Sequence, residues 1–70
     1  MELMELTAAQ AGMVLGMSDE AIRNHITAGR LAARRHGIRG LYKIMVTDLR
    51  SFARQYNYTV DEEYLSRLAN

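Results

Sequence analysis

Residues 18–45 read SDEAIRNHITAGRLAARRHGIRGLYKIM, and the remainder of the chain is most simply read as the support for this stretch. Ser18 stands where a helix N-cap belongs, ahead of Asp19 and Glu20, whose negative charge suits the first turn of a helix. Ile22 and Ile26 share the inner face with His25, while Glu20, Arg23, Asn24 and Thr27 fall on the opposite face at i, i+3, i+4 and i+7. Gly29 is the expected stop. From Leu31 the period changes to two: Leu31, Ala33 and Arg35 alternate with Ala32, Arg34 and His36. Gly37-Ile38-Arg39-Gly40 then supplies a hairpin loop, and the chain returns from Leu41 to Val46 with Tyr42 and Ile44 on one face and Lys43 on the other.

Upstream, Met1 to Leu6 forms a short lead-in from which Leu3 and Leu6 are placed to reach the core. Thr7 and Gln10 make a T-x-x-Q capping box, which predicts a helix running to about Leu15 with Ala8, Ala11, Val14 and Leu15 on one face. Gly16 is the expected end of that helix, and Met17 the buried residue of the turn. Two short helices joined by a tight turn containing glycine make a helix-turn-helix unit. Downstream, Thr47 is the expected cap of a third helix whose stripe is Leu49, Phe52, Ala53 and Tyr56, with Asn57 as its end. A second box, Thr59-x-x-Glu62, predicts a last helix carrying Tyr64, Leu65 and Leu68 along one side. That stripe either packs back on the domain or forms a subunit interface, with Leu3 and Met4 as its mates. The architecture expected is mainly α with a small β-hairpin, in one domain spanning residues 1–70.

The chain has 70 residues, a length near the lower limit at which one domain buries enough surface to fold unaided. With no cysteine, neither a disulfide nor a thiolate zinc site supplements the core. A net charge of +1 conceals an uneven distribution. Residues 1–22 hold Glu2, Glu5, Asp19 and Glu20 and no base, whereas residues 23–54 hold eight bases against Asp48 alone, a sum of +7. Residues 55–70 return to a sum of −2 through Asp61, Glu62 and Glu63 against Arg67. A basic middle between acidic ends is the footprint of a polyanionic partner. The longest uncharged run, Leu6 to Ser18, is too short to span a bilayer and follows Glu2 and Glu5 rather than a positive segment. A soluble, cytoplasmic protein is expected.

On the polar face of the second helix, arginine pairs with guanine, asparagine with adenine, and a carboxylate accepts from the amino group of cytosine. Arg23, Asn24, Thr27 and Glu20 are therefore candidate base readers, against the alternative of an ordinary solvated face. Arg34, Arg35, Arg39 and Lys43 are candidates for phosphate neutralisation, with no acidic neighbour in their own segment to suggest mere solubility. Alternation turns Arg35 away from Arg34. Arg30, between helix and hairpin, belongs to the same basic stretch, and Arg50 lies just beyond it. His25 and His36 alone do not make a metal site, since zinc takes three or four ligands. His25 is expected to be packed or hydrogen-bonded. No catalytic constellation is present, and a pocket of several hundred cubic ångströms is not expected in so small a core. The chain is not expected to be an enzyme or to need a cofactor, metal or small-molecule ligand.

Taken together, LTAAQAGMVLGMSDEAIRNHITAGRL, RRHGIRGLYKI and TDLRSF resemble the winged helix-turn-helix domain of the MerR-like and excisionase-type DNA-binding proteins. The similarity covers Leu6 to about Tyr56, leaving residues 57–70 as a C-terminal helical extension. Its most specific parts are Leu6-Thr7 with Ala11 and Leu15, the turn at Gly16 to Ser18, Ile22-Arg23, and Gly29-Arg30-Leu31; Tyr42-x-Ile44 and Asp48-Leu49 add to it. His25 departs from it, replacing a large apolar residue, as does Met45, replacing a frequent proline. The resemblance implies a recognition helix in the major groove, with Ser18 and Arg23 at positions that contact DNA, and a wing whose basic residues match Arg35 and Arg39. It implies sequence-preferring binding of double-stranded DNA by a small transcription regulator, an excisionase-like architectural factor or a phage-related subunit. One such module buries only about 600–1,000 Å² on DNA, so a homodimer or cooperative oligomer is expected. Two alternatives stay open: a protein–protein module on the same scaffold, using Tyr56, Tyr58, Tyr64 and the acidic ends, and a nucleoid or RNA binder without base preference.

Overall fold

In a computed structural model, which describes residues 4–37 and 41–69, the described residues form four helices and a three-stranded antiparallel sheet. The elements in chain order are β1 (Glu5–Leu6), α1 (Ala8–Leu15), α2 (Asp19–Thr27), β2 (Arg34–His36), β3 (Leu41–Met45), α3 (Val46–Tyr56) and α4 (Glu62–Ala69). The sheet order is β1-β3-β2, so the lead-in and the hairpin lie on either side of one central strand. Mainly helical α+β is the class this defines.

Both ends of α1 follow from its sequence. Thr7 accepts at Oγ1 from the Gln10 amide at 3.1 Å, and the Gln10 side chain accepts from the Thr7 amide at 3.0 Å, which satisfies two amides the helix leaves without partners. Gly16 ends the helix at φ 73°, a left-handed conformation that glycine adopts without a Cβ penalty. The turn to α2 then folds back so tightly on Gly12 that a Cβ there would collide with the Met17 carbonyl oxygen. The Met17 amide donates to the Gly12 carbonyl at 2.9 Å. Met17 itself is half-buried against the core.

Ser18 caps α2, accepting at Oγ from the Ala21 amide at 3.1 Å. Ile22 is the one fully buried residue of that helix, supported by the partly buried Ile26 and His25. The helix closes at Ala28, one residue before the expected stop, and Gly29 follows in the left-handed region at φ 82°. The amides of Arg30 and Leu31 both donate to the His25 carbonyl, which turns the chain so that Leu31 enters the core.

Four expectations change. The alternating run yields a strand only over β2, because Leu31 is drawn into the core before pairing begins. The lead-in brings Leu6 to the core as expected, but it does so as a strand that was not expected, with Glu5 and Leu6 paired to Met45 and Ile44. Thr47 does not cap α3. Helix α3 starts at Val46 directly from β3, and the Val46 amide donates to the Met4 carbonyl at 3.1 Å, so backbone does the work expected of a side chain. Finally, α4 begins at Glu62 with Asp61 rather than Thr59 in the capping role, since Asp61 Oδ1 accepts from the Tyr64 amide at 3.1 Å. The Asp61 amide also donates to the Val14 carbonyl at 2.9 Å and fixes the start of α4 against α1. Asn57 ends α3 at φ 62°, as its sequence position leads one to expect.

One cluster unites Leu6, Ala11, Val14, Leu15, Ile22, Leu31, Ile44, Val46, Leu49, Phe52, Ala53 and Leu65, drawn from all four helices, from β1 and β3, and from the connection between α2 and β2. Leu65 is buried, with Tyr64 and Leu68 packed at the margin, so the stripe of α4 is turned back on the chain. Arg50 of α3 and Glu62 of α4 form a two-pronged ion pair, one arm 2.9 Å long, which assigns Arg50 a partner within the chain. Leu3 and Arg39 lie outside the described residues.

Candidate nucleic-acid interface

Ile22, Ile26 and His25 hold α2 from one side, and its opposite face is open. Ser18, Glu20, Arg23, Asn24 and Thr27 are all exposed, in the arrangement their spacing implies. Ser18 accepts from the Ala21 amide at Oγ with one of its two lone pairs. Arg23 lies 3.6 Å from Asp19, one turn back along the helix, with both side chains about half exposed.

The β2–β3 hairpin supplies the second half. Its register places Arg34 opposite Lys43 and Arg35 opposite Tyr42. Like charges facing each other across a ladder repel, and the Arg34–Lys43 pair is tolerable because a carboxylate stands nearby. Glu5, from β1, accepts from Arg34 Nη2 at 2.7 Å. The basic stretch thus has acidic neighbours after all: Glu5 is brought over by a two-residue strand, and Asp19 by the start of α2. The Arg35 guanidinium sits over the Tyr42 ring, 5.7 Å from its centroid, within the range of a cation–π contact.

An open groove of about 500 Å³ connects the two halves. Arg23 and Asp19 line it from α2, Thr7 and Ala8 from the start of α1, and Arg35, Tyr42 and Lys43 from the hairpin. A smaller groove of about 140 Å³, lined by Glu5, Arg34, Arg35 and Lys43, adjoins it through the two shared cations. This groove lies between elements at the surface and takes no room from the core, to which the expectation of no large pocket applied.

Arg30 is exposed and lies outside both groove linings. Its Nε donates to His25 Nδ1 at 2.9 Å, toward an aromatic cluster at the end of α2. There the His25 ring meets Phe52 edge-on at 4.9 Å, and Phe52 stacks on Tyr58 at 5.4 Å. Burial, and secondarily the Arg30 charge, push the His25 pKa below its ordinary value, which keeps the imidazole neutral and able to accept. Among the described residues no group of three potential metal ligands occurs, and no helix is long and apolar enough to cross a membrane.

Of the candidate site residues, Arg23, Arg35 and Lys43 share one groove, and Arg34 shares the second with Arg35 and Lys43. Glu20, Asn24 and Thr27 lie on the open face of α2, outside the groove linings. Thr7, Asp19, Tyr42 and Glu5 are groove residues that sequence reasoning did not assign to the site. Comparison with protein-family models, with curated proteins and with solved structures found no match to this chain.

Proposed function

We propose that this protein binds double-stranded DNA as a winged helix-turn-helix domain. In this reading α2 enters the major groove, which is wide enough to admit a helix, and the β2–β3 hairpin serves as the wing on the flanking backbone. The observation that carries it is the continuity of the surface: the groove beside Arg23 is completed by Arg35, Tyr42 and Lys43 of the hairpin. A base-reading helix and phosphate-neutralising cations must act together, because phosphate contacts fix register while base contacts discriminate. Arg23 and Asn24 would read bases, with Glu20 and Thr27 at the margins and Ser18 at the helix start; Arg34, Arg35 and Lys43 would hold phosphates. Arg30 would stiffen the end of α2 through His25.

Without a catalytic constellation, such a protein acts by occupying or bending its site, as a small transcription regulator or an excisionase-like architectural factor in the cytoplasm. At about 600–1,000 Å² per module, useful affinity calls for a homodimer or a cooperative array. A second reading, a protein-docking module, is favoured by Tyr56 and Tyr58, which are 40% and 36% exposed. Titration of the full chain into a labelled duplex over a range of salt separates the two. Retention that weakens steeply with salt supports DNA binding. No retention at low salt rejects it in favour of a protein partner.

A further inference from the structure

Four cations and two carboxylates meet along the two adjoining grooves, and each carboxylate faces a different arginine. Glu5 holds Arg34 at 2.7 Å from the far side of the sheet, across the central strand, and Asp19 stands 3.6 Å from Arg23. Arg35 and Lys43, which line both grooves, lie between these pairs. A carboxylate and a phosphodiester offer similar acceptor oxygens to a guanidinium, so the two compete for the same donors.

We propose that Glu5 and Asp19 are built-in competitors of the polyanion, each occupying an arginine that a backbone phosphate or base edge must take over. The inference rests on the DNA-binding reading above. It adds two acidic residues to that site and gives them a function opposite to that of the basic ones. In the free protein Arg34 donates a hydrogen bond to Glu5, and Arg23 stands beside Asp19. On DNA the two arginines change partners, and the released carboxylates, now beside phosphates, draw cations back from solution. That uptake offsets part of the counterion release that drives binding, so affinity is held down and the salt response is shallower than four cations imply.

The opposing idea is that these ion pairs are only structural, joining β1 to the hairpin and trimming the start of α2. The two ideas differ in sign. A competitor role means that Glu5→Gln tightens binding while Arg34→Gln weakens it. A purely structural role means that both variants loosen the same contact and both weaken binding, or neither changes it.

The experiment follows a random-sequence duplex by fluorescence anisotropy over a range of salt, using the full chain and the variants Glu5→Gln, Asp19→Asn, Arg34→Gln and Glu63→Gln. The last removes one charge from the Glu63–Arg67 pair of α4, outside both grooves, and controls for net charge. Glu5→Gln and Asp19→Asn are each expected to tighten low-salt binding about two- to five-fold beyond the control, the range an exposed ion pair carries. Glu5→Gln is also expected to steepen the slope of log K against log salt by up to about 0.9. If the parent binds duplex and neither variant exceeds the control, the competitor role is overturned and the DNA reading stands. If neither parent nor any variant binds, both fall.

Discussion

His25 accepts a hydrogen bond at Nδ1 from Arg30 Nε, 2.9 Å away, while its ring stands edge-on to Phe52 with centroids 4.9 Å apart. The residue is therefore both packed and hydrogen-bonded, and it joins the end of α2 to α3. Such an acceptor requires a neutral imidazole with its proton on Nε2.

This fixes the sign of a pH effect. The folded-state pKa of His25 lies below its ordinary value of about 6.5, through burial first and the Arg30 charge second. Its contribution to stability is thus complete above about pH 6.5 and declines as pH falls, because the unfolded chain binds a proton the folded one refuses. The decline ends once folded His25 protonates. Thermal melting between about pH 7.5 and 5.5 should show a falling midpoint, and His25→Phe should flatten it. A His25→Phe curve parallel to the parent's would remove His25 as the cause. Glu62, held low by its hydrogen bond from Arg50, adds a loss of the same sign only below the ordinary carboxylate range.

Gly12→Ala offers a test of the turn between α1 and α2. Alanine in a helix interior ordinarily gains roughly 0.5–1 kcal/mol over glycine. Here the added methyl meets the Met17 carbonyl oxygen, which is backbone and cannot swing away. A net loss of about 1–3 kcal/mol is expected, by the scale of overpacking. That lowers the melting midpoint by several degrees, at about 4–8 °C per kcal/mol for a domain this small. A midpoint raised by the substitution would mean the turn sits farther from Gly12.

Helix caps give a third prediction. Thr7→Ala and Asp61→Ala should each cost roughly 0.5–2 kcal/mol, the range for losing an N-cap acceptor. Thr59→Ala and Thr47→Ala, at exposed positions with no capping bond, should stay within about 0.5 kcal/mol of the parent. Chemical denaturation of the four variants ranks them. Thr59 outranking Asp61 would restore the T-x-x-E box.

Much of this fold was legible because local rules and tertiary packing agreed. The Thr7–Gln10 box, the left-handed Gly16 and Asn57, and the Ile22 face are local signals, and the structure follows each. What escaped was long-range. A strand of two residues has too little alternation to be read, yet β1 carries the Glu5 carboxylate that holds Arg34, and Met4 just ahead of it supplies the carbonyl that begins α3. Glu5 and Arg34 stand 29 positions apart, and Arg50 and Glu62 12 apart, so neither pair announces itself. Counting charge within the segment gave the correct excess of bases while missing which of them are partnered. The exposed face of α2 was legible, since 3.6-residue spacing alone separates Ile22 from Arg23 and Asn24.

Division of labour at the interface yields a fourth prediction. Arg23→Ala should weaken a preferred duplex more than random DNA, by the roughly 1–3 kcal/mol that a bidentate base contact carries. Arg35→Ala should weaken both alike and reduce the salt slope by about one unit, as loss of a single phosphate contact does. Equal behaviour of the two variants would contradict separate roles for helix and hairpin.

The most direct test is selection of bound duplexes from a random pool by the full chain, with binding of the selected sequences followed against salt. An enriched motif, in half-sites at a fixed spacing and with affinity falling steeply as salt rises, is the expected result. Binding with no enrichment would contradict base reading by α2 and leave only contact with the backbone. A failure to bind any duplex at low salt would contradict the DNA-binding function itself.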